Sequence, residues 1–153
     1  MSARQSGAIV QISSLGGQLS FAGFSAYSAT KFALEGLSEA LADEVQPFGI
    51  KVLIVEPGAF RTGFFANGSH SCATDTYSDT VGATREILKT GDGAQPGDPA
   101  KAAAAILIAL DADLTPLRLP LGVDAVDAIT ARLHTTLADL AAWDTIARDT
   151  AYS

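Results

Sequence analysis

The stretch from Ala8 to Pro57 constrains the fold more than any other part of the chain, because two short apolar runs there enclose one long helical pattern. Ala8-Ile9-Val10-Gln11-Ile12 begins after Gly7 and ends in Ser13-Ser14, and Ile50-Lys51-Val52-Leu53-Ile54-Val55 is stopped by Pro57-Gly58. Short runs rich in β-branched residues and bounded by turn formers read as buried strands of a parallel sheet. Between them, from Ser25 to about Val45, Phe32, Ala33, Leu37, Ala40, Leu41 and Val45 recur at helical spacing, and Pro47 with Gly49 closes the helix. Strand, helix and strand in this order make a βαβ crossover between parallel neighbours, right-handed by default.

The remainder extends the same architecture. Gly58 to Ser78 is rich in Gly, Ser, Thr and Asn, too polar for core and too long for an idle connector, so a binding loop is expected there. Asp79 to Lys89 reads as a helix and Gly91 to Gly97 as a turn, while Asp98-Pro99 opens a helix that runs to about Leu110. Leu117-Arg118-Leu119-Pro120-Leu121 reads as a third strand, placed at a sheet edge by Pro120, and Asp124 to about Trp143 returns to helical spacing. The expected fold is α/β: a partial Rossmann-like (doubly wound) parallel sheet of about three strands with flanking helices. It forms one incomplete domain over residues 1–153, with a strand-helix-strand unit at 1–62, a loop region at 63–97, and the last helices and strand at 98–153.

Composition excludes several classes of function. With 48% hydrophobic and 18% charged residues, the 153-residue chain suits one soluble domain. The formal charge is −7, from 17 acids against 10 scattered bases, which argues against a nucleic-acid partner. Cys72 is the only cysteine, so no intrachain disulfide is possible and a reducing, cytoplasmic location is expected. Met1 to Ile12 lacks a signal-peptide layout, and the longest apolar run, Ala102 to Leu110, falls short of the ~20 residues a membrane helix needs. Asn67-Gly68-Ser69 therefore reads as a turn, and His134 as a helix-surface residue. His70, Cys72 and Asp75 lack the usual ligand count, so no metal is expected.

The chemistry gathers near the first strand. Tyr27 and Lys31 stand four apart at the start of the long helix, so both side chains lie on one face, one turn from each other. Ser14 leaves the end of the preceding strand, and the carboxyl ends of strands in an open parallel sheet line the crevice where ligands bind. A phenol, with an ordinary pKa of about 10, is a poor acid or base at neutral pH, and a neighbouring ammonium favours its ionised form. A carbonyl receiving hydride develops negative charge on oxygen, which a serine hydroxyl can stabilise while a tyrosine donates the proton.

Ile9-Val10-Gln11-Ile12-Ser13-Ser14, Tyr27-Ser28-Ala29-Thr30-Lys31 and Val55-Glu56-Pro57-Gly58-Ala59-Phe60-Arg61-Thr62 resemble, in order and spacing, three consecutive motifs of the short-chain dehydrogenase/reductase family. The tail with Leu117-Arg118-Leu119-Pro120-Leu121-Gly122 is similar to the family's as well, so the resemblance covers nearly the whole chain. It implies an oxidoreductase using NAD or NADP on a small-molecule alcohol/carbonyl substrate. It also implies a homo-oligomer assembled through the long helix and through the last strand and helix. By the same resemblance Ser14, 13 residues before the tyrosine, is the catalytic serine in preference to Ser13. Tyr27 is then the general acid/base, and Lys31 assists it and holds the nicotinamide ribose. Pro57, Gly58 and Thr62 lie against the nicotinamide.

The sequence departs from the family in one respect. The family's Gly-rich turn, Asn-Ala-Gly segment and helix asparagine belong before the first strand, and none stands among these residues. Gly91-Asp92-Gly93 follows an expected helix rather than a strand and so fails the context of a dinucleotide fingerprint. The chain thus reads as the carboxyl-terminal half of such an enzyme, with the amino-terminal dinucleotide-binding half missing. The alternative is a non-catalytic half-Rossmann interaction module whose bare sheet edge pairs with a partner or with itself.

Overall fold

The structure, a computed structural model, describes residues 1–68, 72 and 74–152. Ser69 of the expected Asn67-Gly68-Ser69 turn and His70 of the His70, Cys72 and Asp75 trio lie outside the described residues. Among those described, no group of three or more His, Cys, Asp or Glu side chains is placed to hold a metal, and no helix is long and apolar enough to cross a membrane.

The elements follow the expected order: β1 (Gly7–Ile12), α1 (Ser25–Val45), β2 (Ile50–Pro57), α2 (Ser78–Thr90), α3 (Pro99–Asp111), β3 (Arg118–Leu121) and α4 (Val123–Arg148). The sheet runs β1-β2-β3. Both pairings are parallel, in register from Gly7↔Ile50 to Ile12↔Val55 and from Ile54↔Arg118 to Pro57↔Leu121. This is a partial Rossmann-like α/β unit with β2 at its centre. Asp98 caps α3 by accepting from the Ala100 amide at 2.8 Å, with Pro99 in the first turn.

Alternation along β2 sends its side chains to two helical layers. Leu53 and Val55 pack with Ala109 of α3, flanked by Val10, Ile106, Leu110, Leu119 and Leu121. Ile54 and Glu56 point the other way, where α1 lies. The sheet is thus covered on both faces, and the crevice at the carboxyl ends of β1 and β2 falls where α1 begins.

Two features differ from the sequence reading. β1 is half-buried rather than buried, with Ile12 54% exposed, because among the described residues it pairs with β2 alone and its other edge is bare. α1 buries Ser28, Glu35 and Ser38 against the body and turns Phe32 and Leu37 outward. The apolar spacing identified the helix but not the face on which it packs. α4 extends past Trp143 to Arg148, and Leu133, Leu137 and Leu140 on it are exposed.

Candidate active site

The ladder of β1 continues one residue past the strand, the Ser13 amide donating to the Val55 carbonyl at 2.8 Å. Successive extended residues point to opposite sides, and the two serines do so here. Ser13 is buried and faces Gly17 and Glu35: a Cβ on Gly17 would stand 2.7 Å from Ser13 Oγ and 3.0 Å from Glu35 Oε1. Ser14 Oγ accepts from the Gly16 amide at 3.0 Å and so caps the short 3-10 turn Leu15–Gly17. A Cβ on Gly16 would lie 3.0 Å from Tyr27 Cε1 and 3.4 Å from Ser14 Oγ. Ser14 and Tyr27 therefore meet across a glycine whose missing side chain leaves them room.

Tyr27 is half-buried in the first turn of α1. Lys31, one turn on, places Nζ 5.7 Å from the Tyr27 ring centroid and donates from it to the Ile12 carbonyl at 2.9 Å. The last carbonyl of β1 thus holds the ammonium beside the phenol. Phe24 meets the Tyr27 ring edge-on at 5.7 Å, and Phe64, from the loop after β2, lies against it at 5.6 Å.

Pro57 ends β2, next to the end of β1. The Gly58 amide donates to the Leu121 carbonyl at 2.9 Å, and the Ala59 amide donates to Asp124 Oδ2 at 2.7 Å. The Asp124 carboxylate occupies the space that a Cβ on Gly58 would need. Thr62 is exposed, its Oγ1 accepting from the Phe64 amide at 3.3 Å. The structure brings Ser14, Tyr27 and Lys31 together and sets Pro57-Gly58 on the adjacent strand end. Among the described residues, Thr62 is linked to this group through Phe64.

Three features escaped the sequence reading. Asp124 reads in sequence only as an acid in the first turn of α4, favourable at a helix amino terminus, yet it also grips the segment after Pro57. Phe64 sits in a polar loop and gives no sign of its contact with Tyr27. The third is a buried polar cluster of Gln18, Glu35, Glu56 and Arg118 behind the site. Its signal was present: Glu56 stands in a strand otherwise apolar from Val52 to Val55, where a carboxylate requires partners. Burial holds the Glu56 carboxyl above its ordinary range; the Gln18 hydrogen bond opposes this, the Glu35 charge adds to it and the Arg118 charge opposes it.

Comparison with known proteins bears on the same residues. The short chain dehydrogenase family profile matches residues 1–72. Oxidoreductase BOA17 of Botryotinia fuckeliana is 41% identical over 125 residues, which cover 81% of this chain and 46% of that protein. A 3-ketodihydrosphingosine reductase of Bacteroides thetaiotaomicron is 48% identical over 83 residues, 54% of this chain and 31% of that protein. The crystal structure of a short-chain dehydrogenase from Streptomyces avermitilis matches with a TM-score of 0.89 at 60% identity, covering 99% of this chain and 55% of the other. These matches and the parallel sheet with its flanking helices agree on a Rossmann-like α/β protein. The chain belongs to the short-chain dehydrogenase/reductase family. It spans about half the length of the first of these relatives and of the Streptomyces structure.

Proposed function

We propose that the chain carries the catalytic side of an oxidoreductase that moves hydride between NAD or NADP and an alcohol/carbonyl substrate. The observation that carries this reading is the meeting of Ser14 and Tyr27 across Gly16, with the Lys31 ammonium one turn away at the carboxyl end of a parallel strand. Residues 1–62 supply this machinery, 63–97 the substrate loop, and 98–153 the helices and strand that buttress it.

The residues present fit the nicotinamide end of a dinucleotide: Lys31 and the Pro57-Gly58 segment, kept narrow by Asp124, flank the crevice, and Thr62 lies beyond it. When bound, the dinucleotide supplies or accepts the hydride. In the reducing direction the Tyr27 hydroxyl gives its proton to the substrate oxygen, and Ser14 Oγ donates a hydrogen bond to the same oxygen as it becomes negative. Lys31 stabilises the phenolate left behind, its place fixed by the Ile12 carbonyl. Phe24 and Phe64 pack against the ring of the phenol and hold its orientation.

Lys31→Ala, in a protein that spans the full length of the relatives, should weaken cofactor binding and lower kcat together, each about tenfold or more, because one ammonium serves both ribose and tyrosine. Steady-state kinetics with cofactor titration checks this. A change in only one of the two quantities would refute the shared role.

A second reading, the interaction module, draws on the bare edge of β1 and the outward apolar side chains of α1 and α4. Light scattering of the purified chain should then show more than a monomer. A monodisperse monomer at moderate concentration counts against it.

A further inference from the structure

Behind the site, four side chains from four separate segments meet. Gln18 follows the Ser14 turn, Glu35 lies one turn beyond Lys31 on α1, Glu56 immediately precedes Pro57-Gly58, and Arg118 opens β3. Gln18 Nε2 donates to Glu56 Oε1 at 2.7 Å and to Glu35 Oε2 at 3.5 Å. Arg118 Nε donates to Glu35 Oε2 at 3.0 Å and stands 3.8 Å from Glu56 Oε1, while its Nη2 donates to Glu39 Oε2 at 2.6 Å. Glu56 and Glu35 are 1% and 5% exposed.

We propose that this cluster is a positioning device for the hydride-transfer site, in which Arg118 and Glu56 fix the Pro57-Gly58 segment against the Ser14 turn and the Lys31-bearing turn of α1. The inference rests on the function proposed above, but its test uses no turnover, so either can fail alone. One proton shared by the two buried carboxylates leaves a single carboxylate for the arginine. Arg118 is a single cation, shared with the exposed Glu39, and it faces two buried carboxylates that are costly to leave uncompensated. A proton on Glu56 leaves a Glu35 carboxylate paired with the Arg118 guanidinium, and the raised affinity of Glu56 for a proton agrees with this. The charged groups facing Glu56 are Glu35 from α1 and Arg118 from β3, with Glu39 behind the arginine.

A folded state that keeps a proton the unfolded chain releases is more stable at low pH. That stability is lost as pH rises from the ordinary carboxyl value, 4.5, through the higher folded-state value. The test is thermal unfolding of the 153-residue chain between pH 5 and 8, with hydrogen exchange of the Gly58 and Ala59 amides, for wild type, Glu56→Gln, Arg118→Met and the double variant. Arg118→Met should lower the midpoint at pH 8 by roughly 10 °C. It should also speed exchange at Gly58 and Ala59, and recover toward pH 5. Adding Glu56→Gln should recover part of both losses at pH 8, since the amide keeps the carboxyl's shape without its charge and leaves Glu35 as the one buried carboxylate without its cation. Glu56→Gln alone should flatten the downward slope of the wild-type midpoint with pH. Equal losses with and without Glu56→Gln, or unchanged exchange at Gly58 and Ala59, overturn the proposal. Should Arg118→Met not fold at any pH, Glu56→Gln decides alone: a flattened profile supports the cluster and a wild-type slope overturns it.

Discussion

Tyr27→Phe, made in a protein spanning the full length of the relatives, is expected to lower kcat for carbonyl reduction by about 10²–10⁴ while leaving the fold unchanged. The substitution removes one oxygen and keeps the ring, so the contacts with Phe24 and Phe64 survive. Gly16 still leaves the ring its space, and Lys31 still has the Ile12 carbonyl as its acceptor. What disappears is the only phenolic proton beside Ser14, and a proton needed in the transition state is a loss in kcat more than in KM. The comparison requires matching circular dichroism and unfolding midpoints for the two proteins. A rate within about threefold of wild type would remove Tyr27 from the chemistry and the proposed mechanism with it.

Why these residues were legible and others were not follows from the range of the interactions. Strand and helix signals are local: Ile9 to Ile12 and Val52 to Val55 are apolar wherever the rest of the chain goes, and Pro120 lacks the amide an interior strand needs. Tyr27 and Lys31 are one helical turn apart, so their proximity is a property of the helix itself. Burial is not local. The spacing of Phe32, Leu37 and Leu41 dictates a helix, but what packs on α1 chooses its buried side, and here Ser28, Glu35 and Ser38 meet the body. Nor is the polar cluster local, since Glu35 and Arg118 pair across 83 positions and Ala59 and Asp124 across 65. A buried glutamate in an apolar strand announces that a partner exists without saying where in the chain it lies.

The 153-residue chain by itself is expected to bind NAD(H) and NADP(H) with Kd no tighter than about 1 mM, some 4 kcal/mol of binding, and to show negligible carbonyl reduction. A dinucleotide's pyrophosphate normally rests on backbone amides of a Gly-rich turn and a helix amino terminus, where the positive end of the dipole favours it. The helix starts of this structure are largely taken. α3 has the Asp98 carboxylate on its Ala100 amide, and α2 and α4 carry Asp79 and Asp124 in their first turns, so all three present an acid where a phosphate would sit. α1 has no acid in its first turn, but that turn holds Tyr27, which the proposed mechanism sets at the reacting end of the cofactor. A net charge of −7 adds no general attraction for a polyanion. On the proposed reading, Lys31 and the Pro57 to Thr62 segment would hold the nicotinamide end without an anchor for the rest. Isothermal titration with both cofactors, followed by a carbonyl-reductase assay, measures this directly, and adding a polypeptide that supplies the remaining half of a relative's dinucleotide site should raise both affinity and rate. Micromolar binding with steady turnover by the purified chain would instead require a phosphate site assembled between copies, with the bare edge of β1 as the place to look for it.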